Sequence, residues 1–63
     1  MTARAISLRE FVADLAADLA REQMHPLRHD RAWCGVYRMR LAAASGDAHE
    51  VARLARCVQE VRA

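Results

Sequence analysis

One stretch, residues 30–44, constrains the fold most, because as a helix it would be apolar on nearly every side. At about 100° per residue, the first of two apolar flanks contains Trp33, Tyr37, Leu41 and Ala44. The adjoining flank contains Ala32, Val36, Met39 and Ala43. The strip left to face water contains Arg31, Gly35, Arg38 and Ala42. A helix with so little polar surface is usually covered from two sides. The sequence therefore predicts a central helix with the preceding and following segments packed on either side of it.

The length of the chain limits how large its core can be. Its 63 residues are expected to form one helical domain, 1–63, with residues 1–6 as a flexible arm. A chain of this size buries only about 60% of the surface that it exposes when unfolded. Apolar residues make up 54% of the chain, but there is one Trp, one Tyr and one Phe, and alanine supplies much of the rest. Such a thin core is often completed by a disulfide, a metal ion or a partner chain.

The first helix is predicted from a capping box and an apolar stripe. Ser7 and Glu10 have the spacing at which a hydroxyl and a carboxylate satisfy each other's backbone N–H groups. The stripe that follows consists of Leu8, Phe11, Val12, Leu15 and Leu19. Because the residue before a proline disfavours the helical conformation, His25-Pro26 should end this helix. We expect helix one over residues 8–24, with Asp14 and Asp18 on its back, either solvated or facing a basic partner.

The other two helices are predicted to form an antiparallel hairpin. The second is expected over residues 28–45, with Asp30 as a plausible N-cap, although it could begin nearer Pro26. The break at 45–47 has Gly46 suited to a left-handed conformation and Asp47 suited to an N-cap. Helix three is expected over residues 48–62, with an apolar stripe of Val51, Leu54, Ala55, Val58 and Val61. The predicted fold class is thus all-α, a small three-helix bundle.

The cysteines and histidines do not form a strong metal or catalytic pattern. Cys34 and Cys57 are interpreted as separate buried thiols, with a disulfide or half of a metal site as the alternatives. His25, His29 and Cys34 lack the close cysteine pairs that structural zinc sites normally have. No nucleophile motif or glycine-rich phosphate loop is present. We expect no enzyme activity, no catalytic residues, no metal and no cofactor.

The central helix also holds the best candidates for partner binding. Arg40 is placed among apolar neighbours, where an unpaired guanidinium would be costly if it were buried. Its stem could lie along apolar surface, it could pair with Asp18 or Glu22, or its face could be an interface. Under the interface hypothesis the partner-binding residues are Trp33, Tyr37, Arg38, Arg40, Asp14 and Asp18.

Charge supports a nucleic-acid alternative only weakly. The net charge of the chain is +2, and residues 25–46 carry four arginines against Asp30, a net of +3. Helices two and three could form a DNA-binding helix-turn-helix, with His49, Arg53 and Arg56 presented to the groove. Glu50 and Glu60 share that helix, however, and phosphate contacts dominate DNA affinity. We therefore keep this as the alternative function.

The favoured hypothesis is a non-enzymatic protein–protein interaction module that associates with itself or binds a larger assembly. We expect a protein partner or a homo-oligomer, no small-molecule substrate and no membrane, since no apolar run approaches 18 residues. With two cysteines and no signal-like apolar core near Met1, the cytoplasm is the expected compartment. Small Ala- and Arg-rich helical proteins include phage and plasmid accessory factors, such as anti-CRISPR inhibitors of host defence. That class is a background expectation for this chain.

Overall fold

The computed structural model describes residues 6–63 as three helices, α1 (Leu8–Arg21), α2 (Pro26–Ala44) and α3 (Ala48–Arg62). No strand occurs among these residues. α2 packs against both other helices, whereas α1 and α3 make few contacts with each other. The prediction of an all-α three-helix bundle with a central second helix is therefore confirmed. The predicted arm, apart from the exposed Ile6, lies outside the described residues.

α1 is shorter than predicted, because it ends at Arg21 and not at residue 24. The next residue, Glu22, has an extended backbone with φ −80° and ψ 139°, and its N–H donates to the carbonyl oxygen of Leu19. The chain therefore leaves the helix early enough for Met24 to pack against the core as a partly buried side chain. The backbone restriction that Pro26 places on His25 would by itself have allowed α1 to be longer.

α2 begins at Pro26, two residues earlier than the predicted start at residue 28. His25 is its N-cap, and the His25 Nδ1 accepts a hydrogen bond from the Leu27 N–H at 3.2 Å. Proline suits this first helical position because its fixed φ is helical and an N–H there would have no partner within the helix. Asp30 is consequently not an N-cap, since it lies inside the helix.

The N-caps predicted for the other two helices are present. The Ser7 hydroxyl accepts from the Glu10 N–H at 3.1 Å, and the Asp47 carboxylate accepts from the Glu50 N–H at 3.0 Å. Each contact satisfies an N–H group that has no partner within the helix, a contribution of about 1 kcal/mol. The helix starts at Leu8 and Ala48 are thus set by local sequence.

A tight glycine turn joins α2 to α3. Gly46 has φ 74°, the left-handed conformation expected of it. The Gly46 N–H donates to the Ala43 carbonyl oxygen at 3.0 Å, and the Asp47 N–H donates to the Ala42 carbonyl oxygen at 2.9 Å. This pair of bonds is the Schellman motif that closes many helices. Because the connection is so short, α3 runs back antiparallel along α2.

All three helices contribute to one apolar core, and no polar side chain is buried among the described residues. The buried residues are Val12, Leu15, Ala16 and Leu19 from α1, Ala32, Val36, Met39, Ala42 and Ala43 from α2, and Val51, Leu54 and Val58 from α3. The predicted stripes of α1 and α3 are therefore largely confirmed. Phe11, which was predicted in the first stripe, lies at its edge and is exposed.

The orientation of α2 differs from the prediction. Two members of the strip expected to face water pack against α3: Ala42 is 8% exposed, and a Cβ on Gly35 would lie 2.5 Å from Val58 Cγ2. The expected core flank of Tyr37 and Leu41 is turned outward instead. Small side chains let two helices approach closely, so the small residues and not the large ones face α3. Hydrophobic periodicity in the sequence does not predict which side of α2 packs closely against α3.

An ion pair ties the linker between α1 and α2 to the last turn of α3. Arg62 Nε donates to Glu22 Oε2 at 3.1 Å, and Arg62 Nη2 pairs with Glu22 Oε1. The two side chains are only 18% and 32% exposed. The hydrogen bond to Glu22 raises the pKa of the Arg62 guanidinium above its ordinary value. This contact spans 40 positions in sequence and links the first connection of the bundle to the end of its last helix.

We expect Glu22→Gln to lower the free energy of unfolding by about 1 kcal/mol, because it leaves a partly buried guanidinium without its carboxylate. Urea unfolding followed by circular dichroism measures this. The matched control is Asp18→Asn, which breaks the exposed pair between Asp18 and Arg21 and should change the stability by less than about 0.5 kcal/mol. Equal effects of the two variants would contradict a structural role for the pair between Glu22 and Arg62.

No helix in the described part of the chain is long and apolar enough to cross a bilayer.

Candidate interaction surface

The side of α2 that neither neighbour covers carries large apolar residues. Tyr37 is 62% exposed and Leu41 is 54% exposed. Together with nearby side chains they line a shallow concavity on the surface. We call this surface the open face of α2 and define it as Asp30, Trp33, Cys34, Tyr37, Arg38 and Leu41. Leu27, one turn before Asp30, extends its apolar character toward the start of the helix and is also exposed.

The open face is uncovered because α1 and α3 both pack on the other half of α2. α3 contacts the side that carries Gly35 and Ala42, and α1 approaches the side that carries Ala43. At about 100° per residue, those contacts leave an arc of more than a third of the helix circumference free. Within residues 6–63, no helix covers this side of α2.

Trp33 is held at the border between the core and the open face. Its side chain is partly buried and packs against the core. Trp33 Nε1 donates to His29 Nε2 at 2.8 Å, and the two rings meet edge to face with centroids 5.9 Å apart. The indole is therefore oriented before any partner arrives.

Arg40 lies beside the open face, over the same indole. Its guanidinium carbon is 5.9 Å from the centroid of the Trp33 ring, a cation–π distance. The side chain also borders a groove with α1, next to Val12. Asp18 and Glu22, the two carboxylates considered as its partners, are paired with other arginines. The stem of Arg40 thus follows apolar surface while its exposed head stacks on Trp33, and its role in binding a partner stays a prediction.

The six residues predicted to bind a partner fall into two groups. Trp33, Tyr37 and Arg38 lie on the open face and Arg40 lies beside it. Asp14 and Asp18 are exposed on α1, and neither belongs to this surface. The structure therefore brings together the α2 residues and not the two α1 acids.

Sequence reasoning missed Asp30, Cys34 and Leu41 as members of this surface. The sequence pattern predicts a helix cap at Asp30, a buried thiol at Cys34 and a core position at Leu41. One available signal was the spacing of seven from Leu27 to Cys34 and from Cys34 to Leu41, which places all three near one line along a helix.

The structure corrects the interpretation of the cysteines. Cys34 and Cys57 are both free and both exposed, so the expectation of buried thiols was wrong. His25 and His29 each accept a hydrogen bond within α2 or at its start. Between residues 6 and 63 no three His, Cys, Asp or Glu side chains are grouped so that they could hold a metal ion.

The surroundings of the basic residues of α3 differ from those of basic residues on a surface that contacts DNA bases. Arg53 Nε donates to both carboxylate oxygens of Glu50 at 3.1 Å. This hydrogen bond is the main reason why the pKa of Glu50 is lowered, with smaller contributions from the charges of Arg53, His49 and Arg38. His49 and Arg56 are exposed, as is Glu60 on the same helix. A helix-turn-helix usually crosses its two helices at about 90–120°, whereas α2 and α3 lie side by side along their length.

Comparison with known proteins gives no match to a protein-family model, to a curated protein or to a solved structure.

Proposed function

We propose that this protein is a non-enzymatic protein–protein interaction module and that the open face of α2 is its interaction surface. The observation that carries the proposal is the exposure of Tyr37 and Leu41 beside the preoriented indole of Trp33. Contiguous apolar surface rimmed by charged residues is typical of interaction sites. Tryptophan, tyrosine and arginine are also the residue types that most often dominate binding energy.

The placement of the few large apolar residues supports the same proposal. Its core consists mostly of valine and alanine with a few larger side chains, so large apolar residues are scarce. Several of them nevertheless lie outside the core on one surface. Turning them inward would have stabilised the isolated chain by about 1.5–3 kcal/mol for each fully buried side chain. A partner that covers this surface recovers that stabilisation on binding.

The proposed compartment is the cytoplasm. Two exposed free thiols on a small domain are typical of a reducing environment, where disulfides do not persist. The nucleic-acid alternative and the phage or plasmid setting remain predictions. The geometry of α3 does not favour the nucleic-acid alternative, because its central arginine is engaged with Glu50.

In-cell photocrosslinking tests the proposal. The photoreactive residue p-benzoylphenylalanine is placed at Tyr37, or at the exposed Ala52 of α3 as the matched control. After irradiation in cells of the source organism, we expect a discrete protein adduct from position 37 and little or none from position 52. Mass spectrometry of the adduct then shows whether the partner is another protein or a second copy of the chain.

A second variant tests whether the adduct at position 37 comes from specific binding and not from chance collisions with other proteins. Leu41→Glu places a charge in the open face without touching the core, and it should remove the adduct formed at position 37. Binding should weaken by at least about tenfold, equivalent to about 1.4 kcal/mol. If positions 37 and 52 give equal adducts, or if Leu41→Glu leaves the adduct unchanged, the open face is not the interaction surface.

A further inference from the structure

The open face of α2 carries one acid and one base with a small residue midway between them. Asp30, Cys34 and Arg38 follow each other at a spacing of four, which places them on one ridge of the helix. In the described range 6–63 neither Asp30 nor Arg38 forms a salt bridge. Arg38 interacts electrostatically with Glu50 on α3, whose pKa is lowered mainly by the hydrogen bond from Arg53 and to a smaller extent by the charge of Arg38. Asp30 and Arg38 are about 12 Å apart along the axis, too far to pair directly with each other. The ridge therefore has a negative end, a small centre and a positive end.

We propose that the open face of α2 binds a second copy of itself in antiparallel orientation, with a two-fold axis at Cys34. This inference rests on the proposed function and names its partner. Under that symmetry Asp30 of one copy meets Arg38 of the other, and the contact is repeated on the opposite side of the axis. A parallel arrangement would place like charges together, so the charge pattern selects the antiparallel one.

The packing geometry of helices fits this arrangement. With the two-fold axis at Cys34, the ridge of one copy lies directly over the same ridge of the other, and packed helix axes are about 8–10 Å apart. The crossing point then needs a small residue, and Cys34 meets that requirement. Helix axes at this separation bring the two Cys34 Cα atoms to roughly 3.4–5.4 Å, which overlaps the range for a disulfide.

The neighbouring ridge supplies the apolar contact. Trp33, Tyr37 and Leu41 also follow each other at a spacing of four and lie directly beside the charged ridge. In the antiparallel pair, this apolar row of one copy faces the same row of the other copy beside the charged ridge. A single pair of helices this long buries an area at the low end for specific complexes, so we expect a dissociation constant in the micromolar range, about 1–50 μM.

Charge swapping tests the pairing directly. Asp30→Arg makes both ends of the ridge positive, and Arg38→Asp makes both ends negative. Each single variant should weaken the homodimer by at least about tenfold in sedimentation equilibrium. Mixing the two variants should restore dimers, because every acid then meets a base in the other chain. The double variant Asp30→Arg with Arg38→Asp should also dimerise, within about threefold of the original affinity.

Thiol crosslinking tests independently whether the two-fold axis of the dimer lies at Cys34. With copper phenanthroline and air as oxidant, the Cys57→Ser variant, which keeps Cys34, should form disulfide-linked dimers rapidly. The Cys34→Ser variant, which keeps the likewise exposed Cys57, is the matched control and should crosslink at least about tenfold more slowly, because it lacks a preformed geometry. Glu60→Arg, a charge reversal on exposed α3, should leave dimerisation unchanged.

The homodimer proposal is overturned if the chain stays monomeric up to about 200 μM, well above the expected dissociation constant. It is also overturned if mixing the two charge variants fails to restore dimers, or if Cys57 crosslinks as fast as Cys34. These failures are distinct from failure of the proposed function. A monomeric chain whose position 37 crosslinks to a different protein keeps the interaction surface and loses only the self-partner.

Discussion

Leu19→Ala is expected to remove about a third or more of the stability of this protein. Leu19 is 0% exposed and packs in the centre of the bundle. Truncating a buried leucine to alanine costs about 2.7–5 kcal/mol, because apolar contacts are lost and a cavity remains. A chain of this size has a total stability of roughly 3–9 kcal/mol. Urea unfolding at low protein concentration, followed by circular dichroism, should show a large fall in the midpoint or an unfolded variant.

Leu41→Ala is the matched control, because it makes the same chemical change on the open face. At a concentration where the chain is monomeric, Leu41→Ala should change the free energy of unfolding by less than about 1 kcal/mol. Its effect should appear in association and not in folding. If the two leucine variants cost the same, either Leu41 is covered in the isolated chain or Leu19 is not in its core, and the assigned orientation of α2 would be wrong.

Gly35→Ala is expected to destabilise the protein even though alanine is the better helix former. A Cβ at this position would lie 2.5 Å from Val58 Cγ2, about 1 Å closer than a favourable carbon–carbon contact. Valine has one strongly preferred side-chain rotamer in a helix, so Val58 cannot easily turn away. Overpacking of this kind costs about 1–3 kcal/mol. Alanine gains about 1 kcal/mol over glycine in helix propensity, so the net loss should be up to about 2 kcal/mol.

The same substitution should change sign when Val58 is shortened. In a Val58→Ala background the methyl group that would clash is absent, and Gly35→Ala should stabilise the protein by up to about 1 kcal/mol through helix propensity alone. A double-mutant cycle from urea unfolding measures the coupling between the two positions. If Gly35→Ala stabilises the original protein as well, α2 and α3 do not approach as closely as the structure indicates.

Local sequence determined where two of the three helices begin and how the last turn is made. Ser7 and Asp47 act on N–H groups three residues away, and Gly46 adopts a conformation that other residues disfavour. These interactions need no distant partner, so the sequence could predict them. The apolar stripes of α1 and α3 could also be predicted from the sequence, because each of those helices has one apolar side and one charged side.

Tertiary structure decided which side of α2 is covered. That helix is apolar on almost every side, so periodicity offers no choice between its flanks, and the sequence prediction had both apolar flanks covered and the strip with Gly35 and Ala42 facing water. In the structure, the close approach of α3 to Gly35 and Ala42 turns Tyr37 and Leu41 to the surface. The distance between α2 and α3 depends on the sizes of the side chains on both facing surfaces. The sequence of one helix alone therefore does not predict it. The candidate interaction surface follows from that packing choice.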